Sequence, residues 1–162
     1  MTFLPAEWHE QEFVQLTWPH AQTDWADILD DVTECYIQMA REISKREKLL
    51  IVAPDIDGVR NLLESNGMAH PTYPISYIQM PTNDTWARDH GFITLLEDGK
   101  RLFLDFRFNG WGQKFASNLD NQINRHLMEA CFAEGQYEDH RVLLFRRRSR
   151  RVDPRLCRKG SS

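Results

Sequence analysis

Residues Pro81–Gly91 read PTNDTWARDHG and place Asp84, Trp86, Arg88 and Asp89 within six positions, directly after an apolar run. Two carboxylates, a guanidinium and an indole at that spacing either build a solvated turn or hold a flat, charged ligand. Trp86 and Asp89 are three residues apart, so on a helical turn they share one side. A carboxylate accepts two parallel N–H bonds from a guanidinium, and an indole face attracts the same cation. The pair therefore suits a planar cation. Asn83 or Asp84 is placed to cap the turn through backbone N–H groups, and Arg88 to pair with an internal acid. The structural alternative is that Asp84 caps, Arg88 makes a surface ion pair and Trp86 is core, all common uses of these residues. A divalent metal would need further oxygen or nitrogen ligands, and the stretch clusters none.

The elements that must position this stretch are legible from periodicity. EFVQLTWP (12–19) and KLLIVA (48–53) are β-rich, and PISYIQM (74–80) leads straight into the motif, so strands are expected at 12–17, 49–53 and 75–80. Trp25, Ile28, Leu29, Val32, Tyr36, Met39 and Ile43 recur at helical steps, predicting a helix over 24–46 with Thr23 as N-cap. Asp55 caps a second helix, 56–65, stopped by Gly67; Leu119, Ile123, Leu127 and Cys131 stripe a third over 118–132, with Ser117 and Asp120 spaced as a capping box. FITLL and RLFLDFRF flank Asp98-Gly99 as a hairpin, 91–96 against 101–107. Strands alternating with helices give an α/β fold. The motif then sits in a loop at the carboxyl end of a buried strand, where such folds carry their sites.

The chain has 162 residues, 41% apolar and 27% charged, an ordinary globular composition. It contains no apolar run of the ~20 residues that a membrane helix needs, and no signal-peptide pattern at its N-terminus. Cys35, Cys131 and Cys157 are odd in number and form no CxxC, which argues against a disulfide framework and for a cytoplasmic home. Cys35 and Cys131 are expected as buried structural thiols on apolar helix faces, and His90 as an exposed loop histidine. The net charge of −4 hides an asymmetry. Residues 141–162 carry nine Lys or Arg against one acid, net +8, whereas residues 1–140 carry 11 against 23, net −12. An acidic body attracts cations and repels nucleic-acid phosphate.

LPAEWHEQEFVQLTWPH, PTNDTWARDHG and DFRFNGWGQKF occur in this order, and together they closely resemble the agmatine deiminases and their Porphyromonas-type peptidylarginine deiminase relatives over about residues 3–140. Phe92 stands where that family usually has Pro after its RDxG unit. The resemblance implies the N-terminal part of a five-fold pseudosymmetric α/β propeller. It also implies hydrolysis of a guanidinium: a cysteine thiolate attacks the central carbon, ammonia leaves, and water releases the ureido product, without metal or organic cofactor. By the same resemblance Trp86 packs beside the substrate and Asp89 binds guanidinium nitrogens. The expected partner is a small guanidinium substrate, agmatine, with arginine or peptidylarginine as the same-class alternative; neither nucleic acid nor a membrane is expected.

The family's following Glu-Gly-Gly segment has no counterpart: the sequence there reads HRVLLFRRRSRRVDPRLCRKGSS. The resemblance therefore assigns no catalytic cysteine or histidine in this chain, and a non-catalytic fragment is the different-class alternative. Residues 1–140 are expected as the deiminase portion and 141–162 as an unrelated Arg-rich tail. A basic patch for phosphate is one reading of that tail. A frameshift is the other and is favoured, because the charge changes where the resemblance stops. A partial propeller leaves apolar faces, so self-association into a homo-oligomer is expected.

Overall fold

The computed structural model describes residues 1–131 and 136–144. Strands β1 (Thr2–Phe3) and β2 (Phe13–Thr17) are followed by α1 (Leu29–Ser44), β3 (Lys48–Ala53), α2 (Ile56–Leu63), β4 (Ile75–Gln79) and the single-turn α3 (Ala87–His90). Then come β5 (Ile93–Glu97), β6 (Lys100–Arg107), α4 (Asp120–Cys131) and β7 (Gln136–Leu144). β2, β3 and β4 form a parallel sheet in sequential order, with α1 and α2 as crossovers. A second sheet runs β1-β5-β6-β7; β1, β5 and β6 pair antiparallel, and β6 and β7 parallel.

The continuous apolar run of β3 is explained by burial on both faces. Leu49, Ile51 and Ala53 pack with Ile37 and Ala40 of α1 and with Val59 and Leu63 of α2. Leu50 and Val52 face the other way, onto Ile123 and Leu127 of α4. Each of the buried Val, Leu and Ile side chains contributes about 1.5–3 kcal/mol by leaving water. The sheet is thus clamped between helices, and its carboxyl edge, where the Pro81–Gly91 segment begins, is held on both sides. No helix among the described residues is long and apolar enough to cross a membrane.

Strands and hairpin fall where periodicity puts them. Asp98 (φ 49°) and Gly99 (φ 79°) make the two-residue turn, as a left-handed pair closing Glu97 onto Lys100. The Asp55 side chain accepts the Gly58 N–H at 2.9 Å, the expected cap, and Gly67 (φ 84°) ends the regular helix after a widened turn at Glu64–Met68.

Four expectations change. The first long helix starts at Leu29, after a separate 3₁₀ turn at Ala26–Ile28. Trp25 leaves the helical stripe because its indole N–H donates to Thr85 Oγ1 at 2.9 Å. Ser117 and Asp120 form no capping box: Ser117 donates to the Phe108 carbonyl and Asp120 turns toward the motif loop. Cys35 is exposed, because the inward line of α1 runs through Ile37, Ala40 and Ser44. His90 is 1% exposed, drawn under the sheet as α3 turns into β5. The side chain of Cys131, together with Cys157 and the rest of the tail beyond Leu144, lies outside the described residues.

Candidate functional site

The motif loop leaves β4 and is tied to α4 by a reciprocal clamp. Asn83 Oδ1 accepts from the backbone N–H groups of Leu119 (2.7 Å) and Asp120 (3.3 Å), satisfying the start of that helix from outside. Asp120 Oδ1 accepts in return from the N–H groups of Asn83 (2.7 Å) and Asp84 (3.4 Å). Asp120 is 2% exposed, and burial beside Asp84 pushes its carboxyl up to about 6, against the pull of the two backbone donors.

Asp84 is itself buried. Its Oδ1 accepts the Thr85 N–H at 2.8 Å, the expected loop cap, and its Oδ2 accepts the Trp86 indole N–H at 3.1 Å. Trp86 is 41% exposed, so it is no core residue. Its ring lies 5.7 Å from Trp25 and meets Trp111 edge-on at 5.8 Å. His20 braces the loop from the β2 side: Nδ1 accepts the Gln22 N–H, which leaves Nε2 to donate to Thr82 Oγ1 at 3.0 Å. Burial lowers the His20 pKa, offset by Thr82 and Asp84.

Opposite Trp86 the chain makes an uncommon turn. Gly110, Trp111, Gly112 and Gln113 have φ of 57°, 52°, 90° and 67°, four left-handed residues in succession. For Trp111 and Gln113 this costs about 1–2 kcal/mol each. Asn109 holds the turn, accepting from Gly112 N–H on its side chain and from Gln113 N–H on its carbonyl. A Cβ on Gly110 would stand 2.1 Å from the Phe115 carbonyl oxygen, so only glycine fits there. The turn seats Trp111 among Trp86, Phe108 and Phe115.

A cavity of about 210 Å³ lies between the two loops, with Asp84, Trp86, Phe108, Trp111, Phe115 and Asp120 in its wall. Asp24 also reaches it, and no Lys or Arg does. Carboxylates and aromatic rings without a competing cation favour an organic cation. A larger, open depression of about 1420 Å³ surrounds Trp8 and Tyr73. It lies at the amino ends of the parallel strands, away from the edge where α/β sheets place ligands.

Asp89 is half-buried on α3, its N–H bonded to the Trp86 carbonyl at 2.9 Å. It is not among the residues lining the 210 Å³ cavity. Arg88 pairs with Glu7 at 3.2 Å on the surface. His90 has no partner for Nδ1, its Nε2 is 3.5 Å from Thr17 Oγ1, and burial pushes its pKa down to about 4. Its carbonyl accepts from Asn124, whose side-chain N–H₂ also donates to the buried Asp105 at 2.7 Å. No group of three or more His, Cys, Asp or Glu among the described residues is arranged to hold a metal.

Spacing assigned Trp25 to a helical stripe and Asp120 to a capping box, and gave Trp111 and His20 no role. Gly-Trp-Gly was the available signal for Trp111, since flanking glycines permit a left-handed turn. Nothing signalled the contact of Asp120 with the motif loop, because its partners there lie 36 and 37 residues away.

This mixed α/β arrangement recurs in solved deiminases. The agmatine deiminase of C. jejuni with substrate bound is 34% identical, with a TM-score of 0.74 over 86% of this chain and 40% of that one. A Porphyromonas gingivalis protein provisionally named arginine deiminase is 46% identical, with a TM-score of 0.72 over 88% of this chain and 41% of that one. The chain belongs to the Porphyromonas-type peptidyl-arginine deiminase family, whose profile matches residues 3–144. A Legionella pneumophila relative provisionally named agmatine deiminase is 34% identical over 140 residues, 83% of this chain and 38% of its own length. The chain thus spans about two fifths of the relatives it matches.

Proposed function

We propose that this chain forms the N-terminal, substrate-gripping part of an agmatine deiminase, within a five-fold pseudosymmetric α/β propeller. The reaction exchanges one guanidinium C–N bond for a C–O bond from water, giving N-carbamoylputrescine and ammonia. Trp86 is a wall of the guanidinium pocket and Asp89 the carboxylate that receives its N–H groups, with no metal or organic cofactor required. One observation carries the reading: in a chain of this family, Trp86 opens onto a cavity lined by carboxylates and no cation. Asp89 rests on its place in the motif, one turn beyond Trp86. Free or peptide-linked arginine is the second reading, favoured by the 46% identity to the Porphyromonas gingivalis protein.

Tryptophan fluorescence of the chain, titrated with agmatine, arginine, a blocked peptidyl-arginine and putrescine, tests this, with ammonia release measured alongside. Agmatine should bind and putrescine, which lacks the guanidinium, should not compete. Asp89→Asn should weaken agmatine by about 100-fold or more, because a desolvated guanidinium loses its partner. Equal competition by putrescine, or unchanged affinity in Asp89→Asn, refutes the assignment.

A further inference from the structure

We propose that Asp120 and Asn83 act as a reciprocal positioning clamp that sets the Asp84–Trp86 wall of the cavity. The proposal rests on the reading that this wall faces a cationic substrate, and it concerns residues to which no reacting group is assigned.

Four hydrogen bonds make the clamp, each from a backbone N–H to a side chain of the other segment. Neither side chain caps its own segment. Asn83 satisfies the N–H groups that open α4, and Asp120 satisfies the two N–H groups that precede the Thr85–Trp86 turn. The chain of contacts from α4 to the indole is short: Asp120 holds the Asp84 backbone, and the Asp84 carboxylate holds the Trp86 N–H. Helix α4 is a rigid reference for this, since Ile123 and Leu127 are fully buried against the parallel sheet. Trp25 and Trp111 contact the ring only through its faces and edge, so the polar restraint on its orientation comes through Asp84.

Charge is a separate matter from position. Asp120→Asn keeps an acceptor oxygen for both backbone donors, whereas Asp120→Ala removes it. The two substitutions therefore divide hydrogen-bond positioning from electrostatic attraction.

The chain labelled with 5-fluorotryptophan gives one ¹⁹F resonance per indole, assigned by Trp→Phe variants. Asp120→Ala and Asn83→Ala should each shift the Trp86 resonance, and the double variant should move it no further, because either change opens the same clamp. Trp18, buried in the core on the opposite face of the sheet, should keep its resonance, and Asp120→Asn should restore that of Trp86. Agmatine affinity should fall about tenfold in the two alanine variants, the equivalent of one positioned hydrogen bond.

An unmoved Trp86 resonance in Asp120→Ala overturns the clamp, as do additive shifts in the double variant or a Trp18 resonance that moves equally. If Asp120→Ala does not fold, Asn83→Ala and Asp120→Asn decide by the same criteria. Coupled Trp86 shifts in the variants, together with no agmatine binding by the wild-type chain, sustain the clamp and refute the deiminase reading instead.

Discussion

Asp120 and His90 titrate in the same pH range with opposite consequences, and Asp120→Asn separates them. The folded-state carboxyl of Asp120 titrates near about 6 instead of 3.8. Between those values the native chain holds a proton that the unfolded chain has released, so this group's contribution to stability falls as pH rises through the window. His90 titrates near about 4 instead of 6.5. There the unfolded chain binds the extra proton, so the His90 contribution is present above pH 6.5 and is lost as pH falls toward 4. Each difference corresponds to at most about 3 kcal/mol. For Asp120, which lines the cavity and can be screened by its water, about 1–2 kcal/mol is the expected amplitude. Asp84 and Asp24 share the cavity wall with Asp120, and His20 reaches Thr82 beside it, but the substitution leaves all three in place. Urea denaturation of wild type and Asp120→Asn between pH 4 and 7.5 gives the difference curve, in which unaltered groups cancel. The variant should be the more stable at pH 7, and its advantage should shrink by about 1–2 kcal/mol as pH falls from 6.5 to 4, while the variant's own curve, free of the Asp120 titration, carries the His90 slope. A flat difference curve would refute the Asp120 shift, and a variant whose own stability does not fall toward pH 4 would refute that of His90.

Two further substitutions test the frame. Asn124→Ala strips the His90 carbonyl and the buried Asp105 carboxylate of a donor, and should cost about 2–3 kcal/mol in urea denaturation; a loss under 0.5 kcal/mol would show that water replaces the side chain. Gly99→Ala meets no atom within 4 Å but keeps φ at 79°, so it should lower stability by about 1 kcal/mol through backbone strain alone; an unchanged melting temperature would show that the turn relaxes into another type.

The amino-acid order alone determined what local forces decide. The period-two and unbroken apolar runs of β2, β3 and β4, the Asp98-Gly99 turn, the Asp55 cap and the buried Ile123–Leu127 stripe of α4 depend on neighbours a few residues apart. The motif's place after β4 was equally legible, as was the family that its three aromatic-rich stretches resemble. Tertiary structure alone decided which motif side chains meet. Trp25 left its helical stripe for a hydroxyl 60 residues away. Asp120, spaced to cap its own helix, instead bonds backbone groups 36 and 37 residues back. His90 became buried, and Arg88 stayed at the surface. A polar side chain near a helix start has several acceptors or donors of similar strength within reach. The choice falls to whichever partner packing has already carried out of water, because an unpaired buried group costs more than the bond it replaces gains. That packing is set by the sheet between its helices, and no local window of sequence contains it.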